Sequence, residues 1–269
     1  MVMEFYYLRK NIIMTTSLNK IKEVLFQFES ISLKEMENVK LMNRTDTKFV
    51  FHIEKFPAIL EALKSDYKAV EIMENRICDY QTLYYDTDNF DLYMKHHNGR
   101  LNRYKVRCRK YVESDLNFFE IKFKNNKSRT IKSRIKLDTI DTSLHSSAKE
   151  FLKSVTNLRP ENLKPVCWVN YSRITLVNKN FPERLTLDIK LAVKNENNEK
   201  KFDQMVIAEL KQDSSSSKSP FFRLMNKSRI KKYSISKYCL GVTQLFPEVK
   251  QNLFKSKLLI LNKILYAIS

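Results

Sequence analysis

The sequence predicts an α+β fold in which an antiparallel β-barrel forms a cationic tunnel, with helices packed around the outside. Three observations lead there. Arg103-Tyr104-Lys105-Val106-Arg107-Cys108-Arg109 places a cation at every second residue, and alternate side chains of a strand share one face. The same alternation of charged and apolar residues recurs in several later segments. The charged faces are also biased to one sign: Arg103, Lys105, Arg107, Arg109, Lys122, Lys124, Lys132, Arg134, Lys136, Arg173, Arg184, Lys190 and Lys211 face only Glu120, Asp188 and Glu209. For one strand alone a solvated face explains such a pattern. Exposed sheets, however, mix signs, because like charges set opposite one another repel. A sheet of this kind that curls closed turns its cations inward and its apolar faces outward against helices. That inverts the usual small barrel, whose interior is filled by side-chain packing.

The elements follow in order. Ile21, Leu25 and Phe28 have helical spacing. Asn43 to Ile53 alternates as a strand, with Lys48, Val50 and His52 on one face, and Ile53 to Leu63 carries the helical stripe Phe56, Ile59, Leu60, Leu63. Tyr80 to Asp86 reads as a strand ending in an Asp-Thr-Asp-Asn turn. Segments 118–124 and 131–137 read as a hairpin turning at Asn125 to Ser128. Ser143 to Val155 is helical in pattern, and strands follow at Val166 to Leu176, 184–191 and 205–211. Ser214 to Ser219 is a polar loop, Ser236 caps a helix starting near Lys237, and Glu248 to Ile268 forms an amphipathic terminal helix. Adjacent His96 and His97 read as a surface loop, Asp86 and Asp88 as turn residues, and Trp168 as core. The expected organisation is an N-terminal helical segment over 1–30, one main domain over 31–245 and a C-terminal amphipathic helix over 246–269.

Composition bounds the function. Lys and Arg number 49 against 30 Asp and Glu, a formal charge of +19. Such an excess calls for nucleic acid, an anionic membrane surface or a phosphate-rich ligand. Hydrophobic content of 43% and aromatic content of 12% fit a folded domain rather than a basic tail. The only glycines are Gly99 and Gly241. This excludes a Walker A loop and a Rossmann fingerprint, which need glycines close together, so phosphate must be held by side chains. Cys78, Cys108, Cys167 and Cys239 show neither zinc-ligand nor disulfide spacing, which suits reduced thiols and a cytoplasmic location. No signal peptide or transmembrane segment is legible. Peripheral membrane contact through Lys255, Lys257 and Lys263 ranks below packing of the terminal helix on the barrel. Nucleic acid ranks low as a partner, since Tyr104 falls on the apolar side of its strand and offers no stacking platform.

In this order, RYKVRCRKY, FFEIKFK, KSRIKL, YSR, RLTLD, AELK and SISKY resemble the VTC-type polyphosphate polymerase domain, within the triphosphate tunnel metalloenzyme (CYTH-like) superfamily, from about Arg44 to Gly241. The resemblance implies phosphate-binding roles for Lys48, Arg107, Arg109, Lys122, Lys132, Arg134, Arg173, Arg184, Ser236 and Lys237. It implies a metal-binding role for Glu209, with Glu120 as a second carboxylate. The implied cofactor is Mn2+ or Mg2+, and the implied partners are ATP or another nucleoside triphosphate and polyphosphate. One departure stands out: Ser234 occupies the place of a basic residue, with Lys231 and Lys232 displaced, which implies a weaker grip on the terminal phosphate. The implied activity is ATP-dependent polymerisation of phosphate by a stand-alone catalytic module. The alternatives are a tunnel-type triphosphatase and a non-catalytic module that binds polyphosphate or inositol phosphate.

Overall fold

A computed structural model describes residues 2–38, 44–213 and 218–266. Asn43, positions 214–217 of the expected polar loop and the last residues of the expected terminal helix lie outside them. The chain runs α1 (Val2–Phe26), β1 (Ser30–Ser32), α2 (Leu33–Asn38), β2 (Arg44–His52), α3 (Phe56–Leu63), β3 (Tyr67–Glu71), β4 (Cys78–Asp86) and α4 (Asp91–His97). It continues through β5 (Arg103–Tyr111), β6 (Leu116–Lys124), β7 (Thr130–Leu137), α5 (Ser146–Val155), β8 (Lys164–Asn178), β9 (Glu183–Lys194), β10 (Glu199–Phe202) and β11 (Met205–Asp213). It ends in α6 (Pro220–Lys227), α7 (Lys237–Leu245) and α8 (Lys255–Tyr266).

The principal strands lie in the order β2-β11-β9-β8-β4-β5-β6-β7, every pair antiparallel, with β3 and β10 attached at β8 and β9. The sheet curls so far that Lys122 on β6 lies in the field of Glu209 on β11, although four strands separate them in that order. Among the described residues, β2 and β7 are not hydrogen-bonded to each other, so the barrel stays open along that seam. A bridge between Lys232 and Phe49 partly covers the free edge of β2.

The convex face is apolar, as the alternation requires. On one half, Phe49, Leu185, Leu187, Ala208 and Leu210 pack with Ile21 and Leu25 of α1, Phe56 and Leu60 of α3 and Phe221 of α6. On the other, Val106, Cys108, Phe119 and Ile121 pack with Ala148 and Leu152 of α5. Each large side chain buried this way stabilises the fold by about 1.5–3 kcal/mol.

The concave face differs from a tunnel that is cationic throughout. Lys190 has φ +51°, and the β8–β9 register shifts there, so that Lys190 and Leu191 together stand opposite Tyr171. Such a bulge reverses which side chains face inward beyond it. Asp188 and then Leu191 and Val193 point into the barrel, and the expected wall residue Lys190 is exposed. The concave face thereby changes from charged to apolar along β9. Tyr238, Leu240, Val242 and Leu245 of α7 fill the apolar part, against Val50, Cys167, Val169, Leu191, Val193 and Ile207. A Cβ on Gly241 would lie 3.2 Å from Cys167 Sγ and 3.5 Å from Val193 Cγ1. The missing side chain therefore sets how closely α7 seats on the sheet.

Two local expectations are corrected. His96 and His97 lie on α4 rather than in a surface loop. His97 is buried, and its Nε2 accepts the Leu253 N–H at 3.2 Å. Asp86 is a buried hub instead of a turn residue, because the start of α4 leaves backbone N–H groups without helical partners. Its carboxylate accepts the N–H groups of Thr87, Leu92 and Tyr93, each at 2.8 Å, and the Tyr238 hydroxyl. Trp168 packs with the core, and all four cysteines are free and buried. No helix among the described residues is long and apolar enough to cross a membrane.

Candidate active site

Strand register gathers the charged side chains. It sets Arg107 opposite Glu120, and Lys122 between Lys105 and Lys132. It also sets Arg173 opposite Asp188 and Glu209 opposite Lys48. Three carboxylates result, each held by two cations. Glu120 receives Arg107 through Nε at 2.8 Å and Nη2 at 2.6 Å, and Lys132 at its other oxygen. Asp188 receives Arg173 through Nε at 2.6 Å and Nη2 at 2.9 Å, together with Lys237. Glu209 receives Lys48 at 3.4 Å and Lys211. Burial pushes each carboxyl up, but the surrounding cations outweigh it: Asp188 is held at about 2, and Glu120 and Glu209 lie well below the usual carboxylate range.

Aromatic faces support Arg109 and the Asp188-paired Arg173 side by side. Tyr80 and Tyr171 stack with centroids 5.1 Å apart. The Arg109 guanidinium lies 5.5 Å from Tyr80 and 5.8 Å from Tyr171, and Arg173 lies 5.0 and 5.2 Å from the same rings. Lys237 sits 4.4 Å over Tyr171. Cations placed against ring faces are favoured by the aromatic quadrupole, so two guanidiniums approach one pair of rings without an anion between them. Arg109 also donates to Thr82 Oγ1 at 3.2 Å.

Lys122 differs from these. Among the described residues it has no carboxylate within ion-pair distance, and Arg107, burial and Arg109 push its amine down to about 6. Lys105 donates to Ser236 Oγ at 2.9 Å, and burial, with Arg107 and Arg103 alongside, lowers its pKa. Ser236 caps α7 by accepting the Cys239 N–H at 3.4 Å.

Of the residues singled out in the sequence, Lys48, Arg107, Arg109, Lys122, Arg173, Lys237, Glu120 and Glu209 line the charged part of the concave face. Lys132 and Arg134 sit at the open seam on β7, where Arg134 is exposed and lies 4.5 Å over the Phe118 ring. Arg184 lies opposite Lys211, with Nη1 3.9 Å from Met36 Sδ of α2. Sequence reasoning passed over Asp188, Lys211, Lys105, Tyr84, Tyr80 and Tyr171 as site residues. The first three stood in the alternation, but only register shows which cation meets which carboxylate. The tyrosines carried no signal separating them from core.

The VTC domain family matches residues 43–246, from the start of β2 to just past α7. The chain belongs to the VTC domain family. This VTC protein also resembles solved structures of low identity. A proposed adenylate cyclase from Bacillus halodurans is 14% identical, with 76% of this chain and 100% of that chain covered and a TM-score of 0.49. A proposed adenylate cyclase from Vibrio parahaemolyticus is 12% identical, with 74% and 99% covered and a TM-score of 0.46. A proposed adenylyl cyclase from Hippeastrum, described as having a dominant triphosphatase activity, is 12% identical, with 76% and 97% covered and a TM-score of 0.49. No curated protein matches the chain. Family membership bears out the resemblance drawn from the sequence motifs.

The residues present fit a metal only in one mode. Among the described residues, no three His, Cys, Asp or Glu side chains cluster to hold an ion. Carboxylate oxygens suit Mg2+ and Mn2+, and such ions are often held by one or two carboxylates together with substrate phosphates. The Glu209 side chain, 21% exposed, fits as the protein's contribution to such a shared set.

Proposed function

We propose that the protein is a polyphosphate polymerase that transfers the γ-phosphoryl group of ATP to the end of a growing polyphosphate chain. The observation that carries the proposal is the excess of cations over carboxylates on the charged concave face of a VTC-family chain, where Lys122, with no carboxylate within ion-pair distance among the described residues and its amine pushed down by Arg107 and Arg109, regains its proton beside an entering phosphate. Arg107, Arg109 and Lys122 on β5 and β6 grip phosphate from one wall. Arg173, Lys211, Lys237 and Lys48 grip it from the other. Arg184, Lys132 and Arg134 extend the field at the edges, and Ser236 fixes Lys105 and the start of α7. Glu209 would be the protein's ligand for a divalent ion, Mn2+ or Mg2+, which would supply further charge neutralisation.

Phosphoryl transfer depends mainly on positioning and charge stabilisation. An oxygen of the acceptor's terminal phosphate attacks the γ-phosphorus in line, the bond to the bridging oxygen breaks, and ADP leaves with the electron pair. The acceptor oxygen is already anionic, so no general base is needed. Arginine and lysine clamps that hold the spreading charge provide the electrostatic part of the acceleration. The segment 31–245 is the proposed catalytic domain, flanked by α1 and by α8. Free buried thiols suit a cytoplasmic setting.

The experiment is product analysis. Purified protein with ATP and Mn2+ forms polyphosphate chains, and Arg107→Ala and Glu209→Ala lower kcat by about 100- to 1,000-fold while circular dichroism remains native. Release of orthophosphate in place of chains identifies a tunnel triphosphatase. Binding without turnover identifies a non-catalytic polyphosphate or inositol-phosphate module. Unchanged synthesis by both variants removes the site assignment.

A further inference from the structure

Arg107 is held more completely than any other cation described on the concave face. It is 7% exposed, and Glu120 opposite it is 0% exposed. A guanidinium has five N–H groups. In Arg107, Nε and one N–H of Nη2 point to the same oxygen of Glu120, and one N–H of Nη1 points to the Tyr84 hydroxyl at 3.0 Å. One N–H on each terminal nitrogen is left over. Two N–H groups on adjacent nitrogens of a rigid plane form the fork that takes two oxygens of one phosphate. The second Glu120 oxygen is in ion-pair contact with Lys132, without a hydrogen bond of its own. Tyr84 is itself braced: its ring stacks on Tyr238 of α7 with centroids 4.9 Å apart, and Tyr238 donates to the buried Asp86. Burial would raise the Tyr84 phenol, but Arg107, Arg109 and Lys105 outweigh it.

We infer that Glu120 and Tyr84 are positioning residues for Arg107, aiming its two remaining N–H groups at one phosphate, and that Glu120 is not a metal ligand. A cation bound at Glu120 would have to displace Arg107 or Lys132 from a carboxylate that solvent does not reach. It would also sit beside Arg109, which with Arg107 and Lys132 already holds the Glu120 carboxyl far below its ordinary range. Glu209, partly exposed, remains the carboxylate for a metal carried in with substrate. The inference rests on the concave face being a phosphate site, and its test separates the two.

Tripolyphosphate is titrated calorimetrically into wild type, Glu120→Gln, Tyr84→Phe and Glu209→Gln, first in EDTA and then across a Mn2+ series. Wild type binds tripolyphosphate without metal. Glu120→Gln weakens that metal-free binding by about tenfold or more, and Tyr84→Phe by about threefold, as expected for loss of bonds that orient a charged group. In both, the Mn2+ concentration giving half-maximal tightening is unchanged. Glu209→Gln, by contrast, loses the Mn2+ response. Metal-free affinity unchanged in Glu120→Gln, with a raised Mn2+ requirement, overturns the inference and makes Glu120 a ligand. If Glu120→Gln does not fold, Tyr84→Phe decides on the same two readouts, and unchanged metal-free affinity in that variant overturns the inference. Failure of wild type to bind tripolyphosphate contradicts the phosphate site itself, and the inference falls with it.

Discussion

Asp188 shows how single residues reconcile a dense set of like charges. It is 2% exposed and carries two cations on its two oxygens. A carboxyl held at about 2 in the folded chain, against about 3.9 unfolded, contributes stability above pH 4. That contribution amounts to about 2 kcal/mol and is lost as pH falls through 2. Replacing Asp188 by Asn therefore destabilises the protein at pH 7, and the gap from wild type narrows toward pH 2, as urea unfolding at a series of pH values will show. A gap that stays constant with pH excludes ionisation of Asp188 as its source. The sequence displayed Asp188 in the motif RLTLD without revealing its partners. Arg173 meets it through sheet pairing, whereas Lys237 arrives from a helix 49 positions later. Contacts of that second kind depend on tertiary placement, which alternation does not encode.

Elements were more legible than their ends or their irregularities. The strands at 118–124, 131–137, 184–191 and 205–211 were all found from period-two alternation, and the helix after Ser236 from its cap. Strand β3, with the short β1 and β10, offered too few residues for periodicity to stand out. The bulge at Lys190 was invisible because the left-handed residue is a lysine rather than a glycine or asparagine. Yet it decides where the charged site stops and the seat of α7 begins. Two predictions belong here. Gly241→Leu forces a side chain into the contact with Cys167 and Val193 and destabilises by about 1–3 kcal/mol, measured by thermal unfolding. Ser236→Ala removes the cap of α7 and the acceptor for Lys105 and destabilises by about 1 kcal/mol. If both variants unfold like wild type, α7 is not the element that closes this end of the barrel.

For the whole molecule, a cluster of cations outnumbers its carboxylates on one concave face, while the convex face is buried under helices. The sequence told the two faces of the sheet apart because the alternation was so regular. It did not show that β2 and β7 leave a seam, since strand order and closure depend on how strands distant in sequence meet. Nor did it show that α7 occupies part of the interior. Binding of a polyanion to the charged part should weaken with salt, because each neutralised phosphate contact competes with small ions. The most direct measurement is a crystal structure of the protein with tripolyphosphate. The account predicts phosphates on the concave face, between Arg107, Arg109 and Lys122 on one wall and Arg173, Lys211 and Lys237 on the other. Tripolyphosphate bound only on the outer surface, with the concave charges still paired among themselves, would contradict it.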